Sequence, residues 1–78
     1  MTVEGHTDDQ PISTARYPSN WELSASLAAA VVRTLIEAGM ETHRLEAASY
    51  ADSRPLTGNA DENGRRENRR ITLLLRAP

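Results

Sequence analysis

The sequence predicts an α+β domain on three observations: a short alternating run at 2–6, one long amphipathic pattern at 21–38, and a nearly unbroken apolar run at 71–75. A period of two marks a half-buried strand, a period near 3.6 marks a helix with one apolar stripe, and a short continuous apolar run suits a strand covered on both faces. At 78 residues the chain has room for one domain, since domains run from ~50 to 250 residues. A domain of this size buries only about 60% of its unfolded surface. With 4% aromatic residues and no Phe, it has few bulky side chains with which to fill a core.

In the first strand Val3 lies between polar neighbours, and Gly5 stands where a close turn or a backbone approach would want it. Residues 8–19 contain Pro11, Pro18 and a series of Asp, Ser and Thr, the composition of a loop. Ser19 followed by Glu22 is a capping-box signature, with Asn20 as the alternative cap. From 21 to 38 there is neither Gly nor Pro, and Leu23, Leu27, Val31 and Leu35 recur at every fourth position as the expected core stripe. Gly39 suits the left-handed position just past a helix end, with Met40 folding back on Leu35. Residues 45–51 read as a second strand with Tyr50 as its one large β-former, and 52–59, with Pro55 and Gly58, read as a loop. Asp61 caps a short polar helix running to about 70 despite Gly64, and 71–75 form the third strand. Three strands and one good helix leave half of the sheet's faces unaccounted for, which points to a missing N-terminal part.

Composition excludes several classes. With no Cys there are no disulfides, thiolate nucleophiles or Cys-ligated zinc. The longest apolar stretch, 27–32, is far short of the ~20 residues that span a bilayer, so this segment itself makes no membrane contact. Residues 1–10 lack a signal-peptide pattern, so any export signal or anchor is expected outside this piece. All nine basic residues are Arg, and the net charge is −2. Arg65, Arg66, Arg69 and Arg70 suggest nucleic acid, but a net-negative chain without interleaved aromatics is a poor polyanion binder. Glu4, His6 and Asp8 alternate along a strand, yet such a trio is unspecific, and no metal or other cofactor is expected. No nucleophile elbow or paired-carboxylate arrangement marks an enzyme.

Three segments together carry a resemblance: Val3-Glu4-Gly5-His6-Thr7-Asp8, Asn20-Trp21-Glu22-Leu23-Ser24, and Gly64-Arg65-Arg66-Glu67-Asn68-Arg69-Arg70-Ile71. In order and spacing they resemble successive motifs of OmpA-like peptidoglycan-binding domains. The tract Asp8-Asp9-Gln10-Pro11-Ile12, followed by Tyr17-Pro18-Ser19-Asn20, looks more narrowly like the branch found in MotB-type flagellar stator proteins. The resemblance implies a mixed β-sheet with helices packed on one side. It also implies a single OmpA-like domain over 1–78 that lacks the family's first strand and helix, so that the last strand exposes an apolar edge and a homodimer can form. The implied function is non-covalent, periplasmic anchoring of a motor stator to the diaminopimelate-containing stem peptide of peptidoglycan, with the membrane partner of the stator reached through the missing N-terminal region.

Carried over residue by residue, Asp8 matches the acid that receives the diaminopimelate ammonium. Thr7 and Asn20 match positions at the pocket rim. Asn68, Arg69 and Arg70 match the terminal Asn-Arg-Arg, of which one Arg faces the ligand or buttresses the acidic strand. Each also has a plain reading: Asp8 as a turn residue, Thr7 and Asn20 as turn and cap, and the basic helix as a solvated face paired with Asp61, Glu62 and Glu67. At the position where the family has an Arg whose fork takes a stem carboxylate, this sequence has Leu27. Losing a bidentate partner there costs ~2–4 kcal/mol. The alternative function is therefore a degenerate interaction or dimerisation module that no longer binds peptidoglycan. Arg33 lies on a different helix face and is a poor substitute. Ser49 is a second departure, replacing a Gly often found beside an aromatic such as Tyr50.

Overall fold

The computed structural model describes residues 1–75. In chain order the elements are β1 (Thr2–His6), α1 (Asn20–Glu37), a 3-10 turn at Thr42–Arg44, β2 (Glu46–Ala51), α2 (Glu62–Asn68) and β3 (Arg70–Leu74). The strands form one mixed sheet in the order β2-β1-β3. β2 runs parallel to β1, and β3 runs antiparallel to it. A parallel neighbour demands a crossover, which α1 supplies. The α+β class and the mixed sheet are those the sequence predicts. The two later strands begin about a residue from their expected starts, and the 3-10 turn leads into β2.

Both ends of α1 follow from local chemistry. The Ser19 hydroxyl accepts the Trp21 N–H at 3.2 Å and pairs with the Glu22 carboxylate. At the other end Gly39 takes φ 111°. Its N–H donates to Ile36 O at 3.0 Å, and the Met40 N–H donates to Leu35 O at 3.0 Å. That two-bond cap needs a left-handed residue, which Gly supplies without strain.

α1 lies against the sheet through its smallest side chains. A Cβ built on Gly5 would stand 2.1 Å from the Ser24 carbonyl oxygen, so strand and helix backbones are in direct contact there. Ser24 and Ala28 are fully buried. Ser24 Oγ donates to Asn20 O at 2.9 Å, accepts the Ala51 N–H at 3.2 Å and pairs with Ser49 Oγ. The Ser49 hydroxyl also reaches Trp21 O at 2.9 Å, which gives the departure at position 49 a structural purpose. The buried seam therefore runs through Ser24 and Ala28, one position round from the expected leucine stripe. Leu27, expected in the core, is 44% exposed, because its Cβ lies ~100° from the seam.

On the opposite face of the sheet, by strand alternation, His6 stacks on Tyr50 with ring centroids 5.3 Å apart. The Arg54 guanidinium lies 3.8 Å from the Tyr50 centroid. Ala51 ends β2 at φ 50°, a left-handed conformation costing ~1–2 kcal/mol for a residue with a Cβ. Its N–H is held by Ser24 and its carbonyl accepts the Thr7 N–H at 2.8 Å, so both neighbouring elements fix the kink.

β3 departs from the expectation of two covered faces. Leu73 and Leu74 are about half exposed and Leu75 is largely exposed. β3 is an edge strand with no strand on its outer side among the described residues. A flat apolar edge is a template for pairing with another chain. The 1–78 chain on its own is expected to sediment as a dimer or larger assembly, and Leu73→Lys is expected to shift it toward monomer. A monodisperse unsubstituted monomer would refute this.

Gly64 lies inside α2, where helix propensity alone favours Ala by ~1 kcal/mol. A Cβ there would meet Gly58 O at 1.9 Å, and overpacking against backbone costs ~1–3 kcal/mol. The clash outweighs the propensity. Gly64→Ala and Gly5→Ala are both expected to lower the urea midpoint at constant m-value. A raised midpoint for Gly64→Ala would mean that propensity wins and the loop at Gly58 yields.

Candidate functional site

The site gathers where β1 ends and β3 begins. The antiparallel register pairs His6 with Arg70, so Asp8, just past β1, lies beside Arg69, just before β3. Arg69 Nη1 donates to Asp8 Oδ2 at 2.6 Å, and the Gln10 N–H donates to Asp8 Oδ1 at 3.0 Å. Thr7 Oγ1 donates to Asp8 O at 2.8 Å, and Asn20 Nδ2 donates to Gln10 O at 3.0 Å. The loop is thereby tied to the first turn of α1. Asp8 is 5% exposed, and a carboxylate this deep requires the partners it has.

A cavity of about 420 Å³ opens over this carboxylate, lined by His6, Thr7, Asp8, Gln10, Pro11, Ile12, Asn20, Leu23, Leu27, Arg69 and Arg70. The lining is polar at Asp8, Asn20 and the two Arg, and apolar at Pro11 and Ile12 of the loop and Leu23 and Leu27 of α1. Six of the seven positions singled out in the sequence thus line one cavity. Asn68 does not. It is fully buried, its Oδ1 accepts the N–H groups of Leu56 and Thr57, and its Nδ2 donates to Thr57 O and Asn59 Oδ1. All four hydrogen-bonding positions of that amide are filled, so Asn68 clamps the loop ahead of α2. Gln10, Pro11, Ile12 and Leu23 were not singled out beforehand. Ile12, a large apolar side chain in an otherwise polar loop, was the available signal.

Arg69 also donates to Glu62 through Nη2, and Arg65 Nε pairs with the same carboxyl at 3.2 Å. The basic helix is thus partly paired within itself, as its plain reading anticipated. The Arg69 bond is the chief reason that the Glu62 carboxyl lies below its ordinary pKa. Glu62 first, then Asp8, raise that of Arg69. Glu22 is lowered chiefly by the Ser19 hydroxyl. Elsewhere, His6 Nε2 bonds Glu4 Oε1 at 3.1 Å, while the buried His6 Nδ1 has no partner. Glu4 and His6 meet, but among the described residues no group of three or more His, Cys, Asp and Glu is placed to hold a metal ion.

The fold and cavity define a small α+β module with a cleft between an acidic strand end and a helix. A family model described as the OmpA family matches residues 1–69, and the chain belongs to that family. It is 43% identical over 77 residues to YtxE of Bacillus subtilis (strain 168), covering 97% of this chain and 32% of that protein. Among solved structures, it resembles the C-terminal domain of Helicobacter pylori MotB with a TM-score of 0.85 and 34% identity, covering 91% of this chain and 54% of that one. It also resembles the cell wall anchor of the T6SS from Pseudomonas aeruginosa with a TM-score of 0.84 and 41% identity, covering 90% of this chain and 49% of that one. The chain thus spans about a third of its curated relative and about half of these solved chains. Among the described residues no helix is long and apolar enough to cross a membrane.

Two outcomes follow from the charges. Glu62 and Glu22 have folded pKa values below their unfolded ones, so their contribution is complete above the ordinary glutamate range and is lost as pH falls through the lower folded values. The urea midpoint is expected to drop across that acid window, and less steeply in Glu62→Gln. An identical profile for that variant would exclude the contact. Arg69→Ala leaves buried Asp8 with one backbone donor and is expected to lower the urea midpoint, a loss partly recovered when Asp8→Asn is added. Strictly additive effects in that double-mutant cycle would mean that the pair is uncoupled.

Proposed function

We propose that the chain binds peptidoglycan non-covalently, holding a diaminopimelate-containing stem peptide in the Asp8 cleft, and acts in the periplasm as the wall anchor of a flagellar motor stator. The observation that carries this reading is the Asp8 carboxylate, held by Arg69 and the Gln10 N–H in the lining of the cleft. A carboxylate offers about four lone-pair sites, and Gln10 and Arg69 occupy two. An ammonium can therefore bind without displacing either, in a charge-assisted contact of ~1.5–3 kcal/mol. Kinship with a MotB domain and a named cell wall anchor supports the same reading. An anchor needs grip without turnover, and Asp8 is held by Arg69 rather than left to shuttle protons.

In this reading residues 1–78 act as one OmpA-like domain of an inner-membrane-anchored protein. Its partners are the stem peptide, the stator's membrane component reached through chain outside these residues, and a second copy along β3. The competing reading, an interaction module that has given up peptidoglycan, is favoured by Leu27 on the cleft wall and by the exposed β3. Co-sedimentation with purified sacculi whose stems carry diaminopimelate, free or amidated, separates them. The chain is expected to pellet with at least one wall type, and Asp8→Ala is expected to lose about 10- to 100-fold in affinity. A chain that stays in the supernatant with both walls favours the interaction module.

A further inference from the structure

The proposed wall anchoring leaves open which stem end the cleft accepts. The end of a diaminopimelate side chain bears an ammonium and a carboxylate on one carbon. Amidation turns that carboxylate into a neutral carboxamide, and a lysine stem lacks it altogether. The three ends share the ammonium and differ only in what lies beside it.

The cleft has a place for the ammonium on Asp8, and its α1 wall at Leu23 and Leu27 offers no donor to the carboxylate. Arg69 is the guanidinium nearest Asp8, but its two terminal nitrogens already serve Asp8 and Glu62. Arg69 thus already faces two carboxylates. The terminal nitrogens of Arg70 donate to Asn68 O at 3.1 Å and to Arg54 O at 2.9 Å. The Asn20 amide donates to backbone carbonyls of the loop. On the α1 side the wall is Leu23 and Leu27, and the next hydroxyl, that of Ser24, is committed to the α1–β2 contact. A carboxylate pressed against that wall loses its water and gains no donor, whereas a carboxamide or bare methylenes lose far less.

We infer that the cleft selects stems whose ammonium has no free carboxylate beside it, with Leu27 as the residue that sets this preference. This inference rests on the wall-anchor reading. The neutral-ended stem lays its alkyl chain along Leu23, Leu27 and Ile12 with its ammonium on Asp8.

Calorimetric titration of the 78-residue chain with three synthetic stem peptides, carrying free diaminopimelate, amidated diaminopimelate or lysine, tests it. The amidated peptide is expected to bind at least tenfold more tightly than the free acid. The ratio of those two decides the matter, and the lysine arm identifies the source: parity with the amidated peptide assigns the selectivity to the ammonium alone, a weaker result to recognition of the carboxamide. Leu27→Arg, which places a guanidinium on that exposed wall, is expected to raise affinity for the free acid and to abolish or invert the ratio. Equal or tighter binding of the free acid by the unsubstituted chain overturns the inference while leaving the anchor reading intact. If none of the peptides binds, the anchor reading falls and takes the inference with it.

Discussion

The contact between Gly5 and the Ser24 carbonyl sets the geometry on which the rest depends. Because a strand residue without a side chain meets a helix backbone, α1 is drawn close enough for Ser24 to bond both Ser49 and the Ala51 N–H. That proximity selects the small seam, Ser24 and Ala28, as the buried one. The leucines are displaced sideways, and Leu23 and Leu27 become the wall of a cleft instead of the filling of a core. A helix held farther off would bury the leucine stripe and leave no apolar wall beside Asp8.

Sheet register makes the second decision. Residues 61 positions apart meet as Asp8 and Arg69 because β3 runs antiparallel to β1 with His6 opposite Arg70. The pairing offsets the cost of burying a carboxylate and leaves about two of its acceptor sites open. Arg69 performs the buttressing service, so it is not free to capture an anion.

Most of the element order was legible in the sequence, because caps and breakers act within a few residues. Ser19, Gly39 and Asp61 each bind their own helix end and need no distant partner. Asp8, Thr7, Asn20, Arg69 and Arg70 were legible as one site only through the family resemblance, since nothing local brings 8 to 69. Asn68 belongs to the same motif, yet its burial and four filled bonds make it a clamp for the loop around 56–59, a role that appears only when that loop is in place. The apolar run at 71–75 read as a fully covered strand because hydrophobicity reports what a strand buries in some context, not whether a neighbour is at hand.

By itself the sequence determined the α+β class, the start of both α-helices and the stop of α1, and the acidic character of the strand end, all of which follow from short-range hydrogen bonding and side-chain periodicity. Tertiary structure decided which stripe of α1 is buried, that Leu27 lines a cleft, and that Arg69 rather than Arg70 holds Asp8. Those outcomes depend on how closely two backbones approach and on the register in which two strands pair. Both are fixed by contacts between residues far apart along the chain, which local pattern cannot encode.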